Sequence, residues 1–160
     1  MSKDKIPATL AIRLLRREKA EFVPCFYDYE EHGGTETAAR ELGVDEHLVI
    51  KTLIFQDEKQ QGLVMLMHGD KQVSAKNLAR QLQRKLLEPC PPAQVGRLTG
   101  YQVGGVSPFA IARDMPVYVE QTILELPFIY INGGKRGFLV KISPTELIRL
   151  LRATPVAAAY

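Results

Sequence analysis

Reactive side chains are scarce in this chain, and those present stand apart from one another. There are two cysteines, Cys25 and Cys90, and three histidines, His32, His47 and His68. The cysteines share no ligand-like spacing with the histidines, so the pattern offers no zinc centre and no metal is expected. Met1–Lys5 lack the apolar core of a secretion signal, so a structural disulfide is not expected either. No apolar run approaches the roughly 18 residues needed to cross a bilayer. From these absences a cytosolic chain is expected. The histidines fall in unrelated segments without a recognisable partner, and His47 reads as an exposed residue at a helix start. Cys25 alternates within an apolar strand and reads as core. Carboxylates form no acid–base motif, and there are no repeats or low-complexity tracts.

The 160 residues are 46% hydrophobic with a formal charge of +3. That suffices for one domain over 1–160 with its own core, and it is too weakly basic to imply a nucleic-acid partner by itself. The distribution of charge says more. Lys76, Arg80 and Arg84 recur every fourth residue in a helical pattern, which puts them on one face. That face is either an ordinary solvated surface or a stripe that tracks phosphates.

The pattern predicts a helix over 7–19 with a core stripe of Leu10, Leu14 and Leu15, then a strand over 22–29. Thr35 is placed to cap a short helix over 36–42 that Gly43 stops. Strands over 49–55 and 63–68 read as a hairpin about the turn at 57–62. Ser74 opens the basic helix, which buries Leu78, Leu82 and Leu86 and ends at Pro89–Pro92. Strands are predicted at 117–119, 128–132 and 138–142. Ser143, Pro144 and Glu146 mark a final helix start. Interleaved helices and strands with both hairpin and crossover spacing predict a mixed sheet covered by helices.

Lys51 is the most informative residue. It sits inside the strand run Val49-Ile50-Lys51-Thr52-Leu53-Ile54-Phe55, on one face with Val49, Leu53 and Phe55. Desolvating an ammonium is costly, so either the lysine snorkels to water at a rim, or it stands in a pocket wall to meet an anionic or carbonyl group. The pocket reading is preferred. Two glycine loops are candidates to complete it. In YQVGGVSPFA, Gly104 and Gly105 permit close backbone approach, and Ser107 adds a hydroxyl; the competing reading is a plain tight turn. Ser107 lacks a GxSxG elbow and a histidine to activate it. In NGGKRG, Gly133 and Gly134 suit a hairpin turn, while Lys135 and Arg136 put two cations at its tip. This loop lacks Walker spacing, leaving hydrogen bonds to phosphate or ribose as its use. The inventory is thus cations, glycine loops and hydroxyls without a protein nucleophile, which suits a site that positions a substrate for water or for its own reactive group.

VIKTLIF around Lys51, TGYQVGGVSPFA from Thr99 to Ala110 and INGGKRGF from Ile131 to Phe138 together resemble the YbaK family of aminoacyl-tRNA deacylases, related to the editing domain of bacterial prolyl-tRNA synthetases. The nearest likeness is to free-standing Cys-tRNA(Pro) deacylases. The resemblance implies a three-layer α+β fold, hydrolysis of a mischarged aminoacyl ester (with hydrolase and lyase as the reaction labels), and no cofactor. The implied partners are tRNA(Pro) and, optionally, prolyl-tRNA synthetase. Lys51 matches the family's essential lysine, Tyr27 an aromatic pocket residue, Gly104, Gly105 and Ser107 the first loop, and Gly133 to Gly137 the second. In cysteine-specific members the substrate's own thiol attacks its ester carbonyl. The chain departs from those members at Asn132, where they have serine, and at Leu139, where they have an acidic residue. Asn132 retains hydrogen-bonding capacity for the substrate and Leu139 does not, which leaves the amino-acid preference open.

Overall fold

Thr9, not Pro7, starts the first helix. In the computed structural model, which describes residues 5–160, the Thr9 hydroxyl accepts from the Ile12 N–H at 3.1 Å, and α1 spans Leu10–Arg17. This shifts the buried stripe to Ala11, Ile12 and Leu15, while Leu10 is 47% exposed and Leu14 half-buried. Strand β1 (Phe22–Phe26) runs antiparallel to β7 (Phe138–Ile142) at the sheet edge, where Pro24 is tolerated. Helix α2 (Gly34–Leu42) is capped at Gly33 and stops at left-handed Gly43. Thr35 lies inside its first turn and donates to the Glu46 carboxylate at 2.7 Å instead of capping.

A short 3-10 turn, Glu46–Leu48, feeds β2 (Val49–Asp57), which forms the expected hairpin with β3 (Gly62–His68) in the register Ile50↔His68 to Gln56↔Gly62. Ser74 caps α3 (Ala75–Gln81) by accepting from the Asn77 N–H. The helix then ends sooner than its pattern implied, with Gln83 in the left-handed region. Leu78 is buried, Leu82 half-buried and Leu86 exposed. Next come β4 (Leu87–Pro89) and α4 (Pro92–Thr99), which the proline cluster concealed, then β5 (Val117–Glu120), β6 (Ile129–Lys135), β7, α5 (Thr145–Leu151) and β8 (Thr154–Val156). Ser143 supports the start of α5 by accepting from the Thr145 N–H.

The eight strands form one mixed sheet in the order β1-β7-β6-β2-β3-β5-β8, with β4 also on β2. Alternation sorts the side chains. Ile50, Ile54, Leu66, Ile131 and Val140 face a core shared with α1, α4 and α5. On the opposite face, Phe55, Met65 and Met67 pack against Leu78 of α3, and Val49 and Leu139 against Ala38 of α2. This is the three-layer arrangement, with Lys51 on the α2/α3 face beside Val49 as the strand period required.

The sheet is interrupted at β2. One edge is paired with β3. The other pairs with β6 only at Val49 and Ile50, and with β4 only from Phe55 to Asp57. Both losses have local causes. At Asn132 the β6/β7 register breaks, the Asn132 side chain accepts from the Gly134 and Lys135 N–H groups, and β6 leaves β2. Beyond Pro89 the chain enters Pro91 and Pro92, and only the Cys90 N–H still reaches β2, at the Ile54 carbonyl. Lys51, Thr52 and Leu53 therefore have no strand on that side among the described residues.

Arg84 lies outside the helix that was to carry it. Its guanidinium binds the Asp57 carboxylate, whose side chain is 2% exposed. Burial alone would raise the Asp57 pKa, but the N–H groups of Gln61 and Lys59 and the Arg84 cation outweigh it and hold the carboxyl below its ordinary value. Arg84 thus fastens the segment after α3 to the hairpin turn, leaving Lys76 and Arg80 as the basic pair on α3. Arg84→Ala is expected to cost about 2–3 kcal/mol, because it strands a buried charge. Lys76→Ala and Arg80→Ala should stay within about 0.5 kcal/mol. Urea denaturation at neutral pH reads the difference, and equal small effects at all three positions would contradict it.

Candidate functional site

A cavity of about 920 Å³ opens at the break in the sheet and is lined from both faces. Lys51 lies in its wall, half-buried, and its ammonium donates to the Lys71 carbonyl at 2.5 Å. Burial lowers the lysine pKa, and the carboxylates of Glu46 and Asp70 only partly oppose this. The lysine thus stands in the cavity wall with its ammonium on a carbonyl of its own chain.

Thr52 was not singled out by its residue type. Antiparallel pairing turns both backbone polar groups of a residue to the same side, alternating along the strand. The Ile54 carbonyl points to the β4 side, so the Thr52 N–H and C=O point to the same side, into the gap. Its hydroxyl is buried without a hydrogen-bond partner. Only its position next to Lys51 could have marked it in the sequence.

The aromatic side of the cavity carries Tyr27 and Tyr29. The Tyr27 N–H donates to the Gly137 carbonyl, which ties this segment to the second glycine loop, and burial raises the Tyr27 phenol pKa. The Arg136 guanidinium lies over the Tyr29 ring, 4.9 Å from its centroid, and donates to the Val103 carbonyl at 2.9 Å. Arg136, Gly104 and Asn132 all reach the cavity.

The two glycine loops pack on each other, and this changes several expected roles. A Cβ on Gly105 would lie 2.7 Å from the Arg136 backbone nitrogen, and one on Gly104 would lie 2.5 Å from the Tyr29 hydroxyl. The Gly105 N–H closes a turn on the Gln102 carbonyl, and the Gly134 and Lys135 N–H groups are taken by Asn132. These three N–H groups are therefore not free donors for a ligand. Ser107 is fully buried, accepts from the Phe109 N–H and does not line the cavity, so the structure places it among turn-forming residues and not at the pocket. Gly133 packs on the Phe138 ring, Gly134 on Tyr101 and Thr9, and Lys135 is exposed outside the cavity lining.

Contrary to the sequence reading, two histidines do have partners. His47 and His68 stack with centroids 3.7 Å apart and planes at 6°. His47 Nδ1 meets the Asp70 carboxylate at 2.8 Å; His68 Nδ1 meets the His47 carbonyl at 2.9 Å, and its Nε2 the Thr122 hydroxyl at 2.7 Å. Ligand atoms of His47, His68 and Asp70 lie within 4.8 Å of one another. Parallel stacked rings direct their lone pairs side by side instead of to one point, and both His68 nitrogens are engaged, so this grouping does not fit a metal. Neither thiol is activated, since burial raises the pKa of both Cys25 and Cys90.

With this geometry established, the known proteins give it a class. The model of the aminoacyl-tRNA editing domain matches residues 30–150, so the chain belongs to that family, in keeping with its YbaK-type motifs. Hydrolase is the reaction label consistent with this class, and lyase is not. Among relatives, the chain is 26% identical over 143 residues to an Enterococcus faecalis protein, EbsC, described as a candidate Cys-tRNA(Pro)/Cys-tRNA(Cys) deacylase, covering 89% of this chain and 87% of that one. It is 26% identical over 106 residues to a proline–tRNA ligase of Streptococcus equi subsp. zooepidemicus, covering 66% of this chain and 17% of the ligase. Its fold is that of a crystal structure described as a candidate trans-editing enzyme for prolyl-tRNA synthetase, with a TM-score of 0.81, 23% identity and coverage of 97% and 99%. No described helix is long and apolar enough to cross a membrane.

Gly105→Ala tests the interlock between the loops. The added methyl meets backbone, which cannot swing aside, so a loss of about 2 kcal/mol is expected. Thermal denaturation measures it, and a neutral effect would show that the loops separate freely.

Proposed function

We propose that this chain, acting over 1–160 as one editing unit in the cytoplasm, hydrolyses mischarged aminoacyl-tRNA in trans, with Cys-tRNA(Pro) as its leading substrate. The observation that carries the reading is the Lys51 ammonium beside the unpaired polar groups of Thr52, in a cavity without an activated protein nucleophile. The lysine meets the acceptor-end backbone or the ester, Tyr27 and Asn132 border the substrate, and Arg136 is the cation of the second loop that reaches it. Lys76 and Arg80 meet tRNA phosphates outside the cavity. Prolyl-tRNA synthetase is an optional partner.

The chemistry then comes from the substrate. Its thiol, as thiolate, attacks the ester carbonyl, an S–C bond forms, the ester C–O bond breaks, and the ribose oxygen leaves as a hydroxyl once protonated. Water opens the resulting thioester ring. A fixed ammonium favours the negative charge that develops during attack. Because this role needs the protonated form, activity that depends on Lys51 should fall as pH rises through its lowered pKa.

A second reading, a tRNA- or synthetase-binding module without turnover, is favoured by one observation. Leu139 is buried opposite Asn132 and lines the cavity, at the position where the resemblance to cysteine-specific members implies an acidic residue.

Deacylation of Cys-, Ala- and Pro-charged tRNA(Pro) separates the two. Turnover of at least one is expected, and Lys51→Ala should lower it about 100-fold or more with circular dichroism unchanged, as removal of a single preorganised charge stabiliser does. Lys51→Arg should restore it only in part, because a planar fork replaces a point charge. Wild-type turnover in Lys51→Ala would refute the site, and no turnover of any substrate would favour the binding module.

The route of attack has its own test. A protein with Cys25→Ser and Cys90→Ser should keep most of its activity, and tRNA(Pro) charged with serine should react far more slowly than with cysteine. Equal rates for the two charged tRNAs, or activity lost with the cysteines, would return the search to a group on the protein.

A further inference from the structure

We propose that the column Thr122–His68–His47–Asp70 is a positioning device for Lys51. It clamps the turn after β3 so that the Lys71 carbonyl fixes the ammonium at the break in the sheet, with the Asp70 charge nearby. The inference deepens the proposed function, since it assumes that Lys51 serves the substrate.

His68, the last residue of β3, is 1% exposed and uses both ring nitrogens. Its Nδ1 faces a carbonyl, so that nitrogen must carry the proton and donate. In the neutral ring the other nitrogen then accepts from the Thr122 hydroxyl. Burial, the main influence on this imidazole, favours that neutral form. A neutral ring lets His47 stack on it without repulsion between like charges. The two rings thus fix the 3-10 turn Glu46–Leu48 against the end of β3.

From this base the column reaches the lysine. His47 Nδ1 holds the Asp70 carboxylate at 2.8 Å. The next residue, Lys71, supplies the carbonyl that receives the Lys51 ammonium, and its own N–H returns to the His68 carbonyl at 3.1 Å. Glu46 flanks the ammonium from the 3-10 turn and is itself held by the Thr35 hydroxyl. A lysine has four rotatable bonds and loses about 2 kcal/mol of rotamer freedom when fixed. The Lys71 carbonyl, held in place by the turn onto His68, supplies the restraint that the flexible stem lacks, and the Glu46 and Asp70 charges favour the protonated form there.

The test uses the full-length protein. The ε-carbon NMR signal of Lys51, assigned by its loss in Lys51→Ala, is titrated in the wild type and in Asp70→Asn. The asparagine keeps the acceptor for His47 and removes only the charge; Glu46, Lys71, His47 and His68 stay in place. A negative neighbour favours the ammonium, so its removal should lower the midpoint measurably. An unchanged midpoint would overturn the proposal. Turnover supplies the second arm. His47→Ala should lower kcat about tenfold with KM within about twofold, the signature of an interaction needed chiefly in the transition state. His47→Asn, whose amide stands near the lost Nδ1 donor, should recover most of it. Equal loss in both variants would also overturn the proposal. Should the wild type show no deacylation at all, the functional reading fails while the titration still decides whether the column holds Lys51.

Discussion

Strand β2 is bonded by β3 along one edge, while on its other edge β6 and β4 reach only its two ends. A buried backbone N–H or C=O without a partner costs about as much as a lost hydrogen bond, so a strand in the middle of a sheet is normally saturated on both sides. Here the backbone groups of Thr52 face a cavity, where water or a ligand must complete them. The rest of the site follows from this constraint. Lys51 precedes the open residue, the bulge at Asn132 turns β6 away, and the proline-rich turn after β4 limits closure from the other side. The same interruption opens the cavity to both faces of the sheet and places the two glycine loops at its rim.

The elements that hold this break open are the ones that resist collapse. Asn132 spends its side-chain oxygen on two N–H groups of its own loop and its amide on the Gly104 carbonyl, at 3.4 Å. Gly105 lets the loops approach closely enough for Arg136 to bond Val103. At the far end, Asp57 gathers two backbone donors and Arg84, fixing the hairpin turn against β4. These polar fasteners lie at the ends and rim of the gap, and the apolar layers on either face carry the bulk of the burial.

Much of this was legible in the residues. The period-two run about Lys51 put it on one face with Val49, Leu53 and Phe55, the hairpin about Asp57 was marked by its turn, and Ser74 and Gly43 were read correctly as a cap and a stop. What could not be read was set by tertiary contacts. Every-fourth spacing cannot show that a helix ends at Gln81, because Arg84 is drawn away by an aspartate 27 positions earlier. Ser107 looks like a pocket hydroxyl in a glycine loop, yet its hydroxyl caps the Phe109 N–H inside the core. His47 and His68 are 21 positions apart, and only the return of the hairpin brings their rings face to face. Helix α4 was hidden because Pro91 and Pro92 read as a terminator, although a proline at the first helical position is compatible with a start.

The arrangement also explains why a cavity with two tyrosines, a thiol and several hydroxyls contains no activated nucleophile. Activation needs a base within hydrogen-bond reach or a field that favours the anion. Cys90 lines the cavity, but burial and the nearby Glu88 disfavour its thiolate. Burial disfavours the Tyr27 phenolate, and Tyr101, outside the cavity lining, is held by the Phe109 carbonyl with its phenol pushed up to about 12. Of the histidines, the usual source of a base, His47 and His68 face each other, Asp70 and Thr122, while His32 lines the cavity as an exposed side chain 3.8 Å from the Glu31 carboxylate. The cavity wall thus offers the Lys51 and Arg136 cations beside open backbone and hydroxyl groups, with Glu31 and His32 exposed in its lining. Such a wall can orient a carbonyl and stabilise negative charge on it, and it leaves the attacking atom to water or to the substrate.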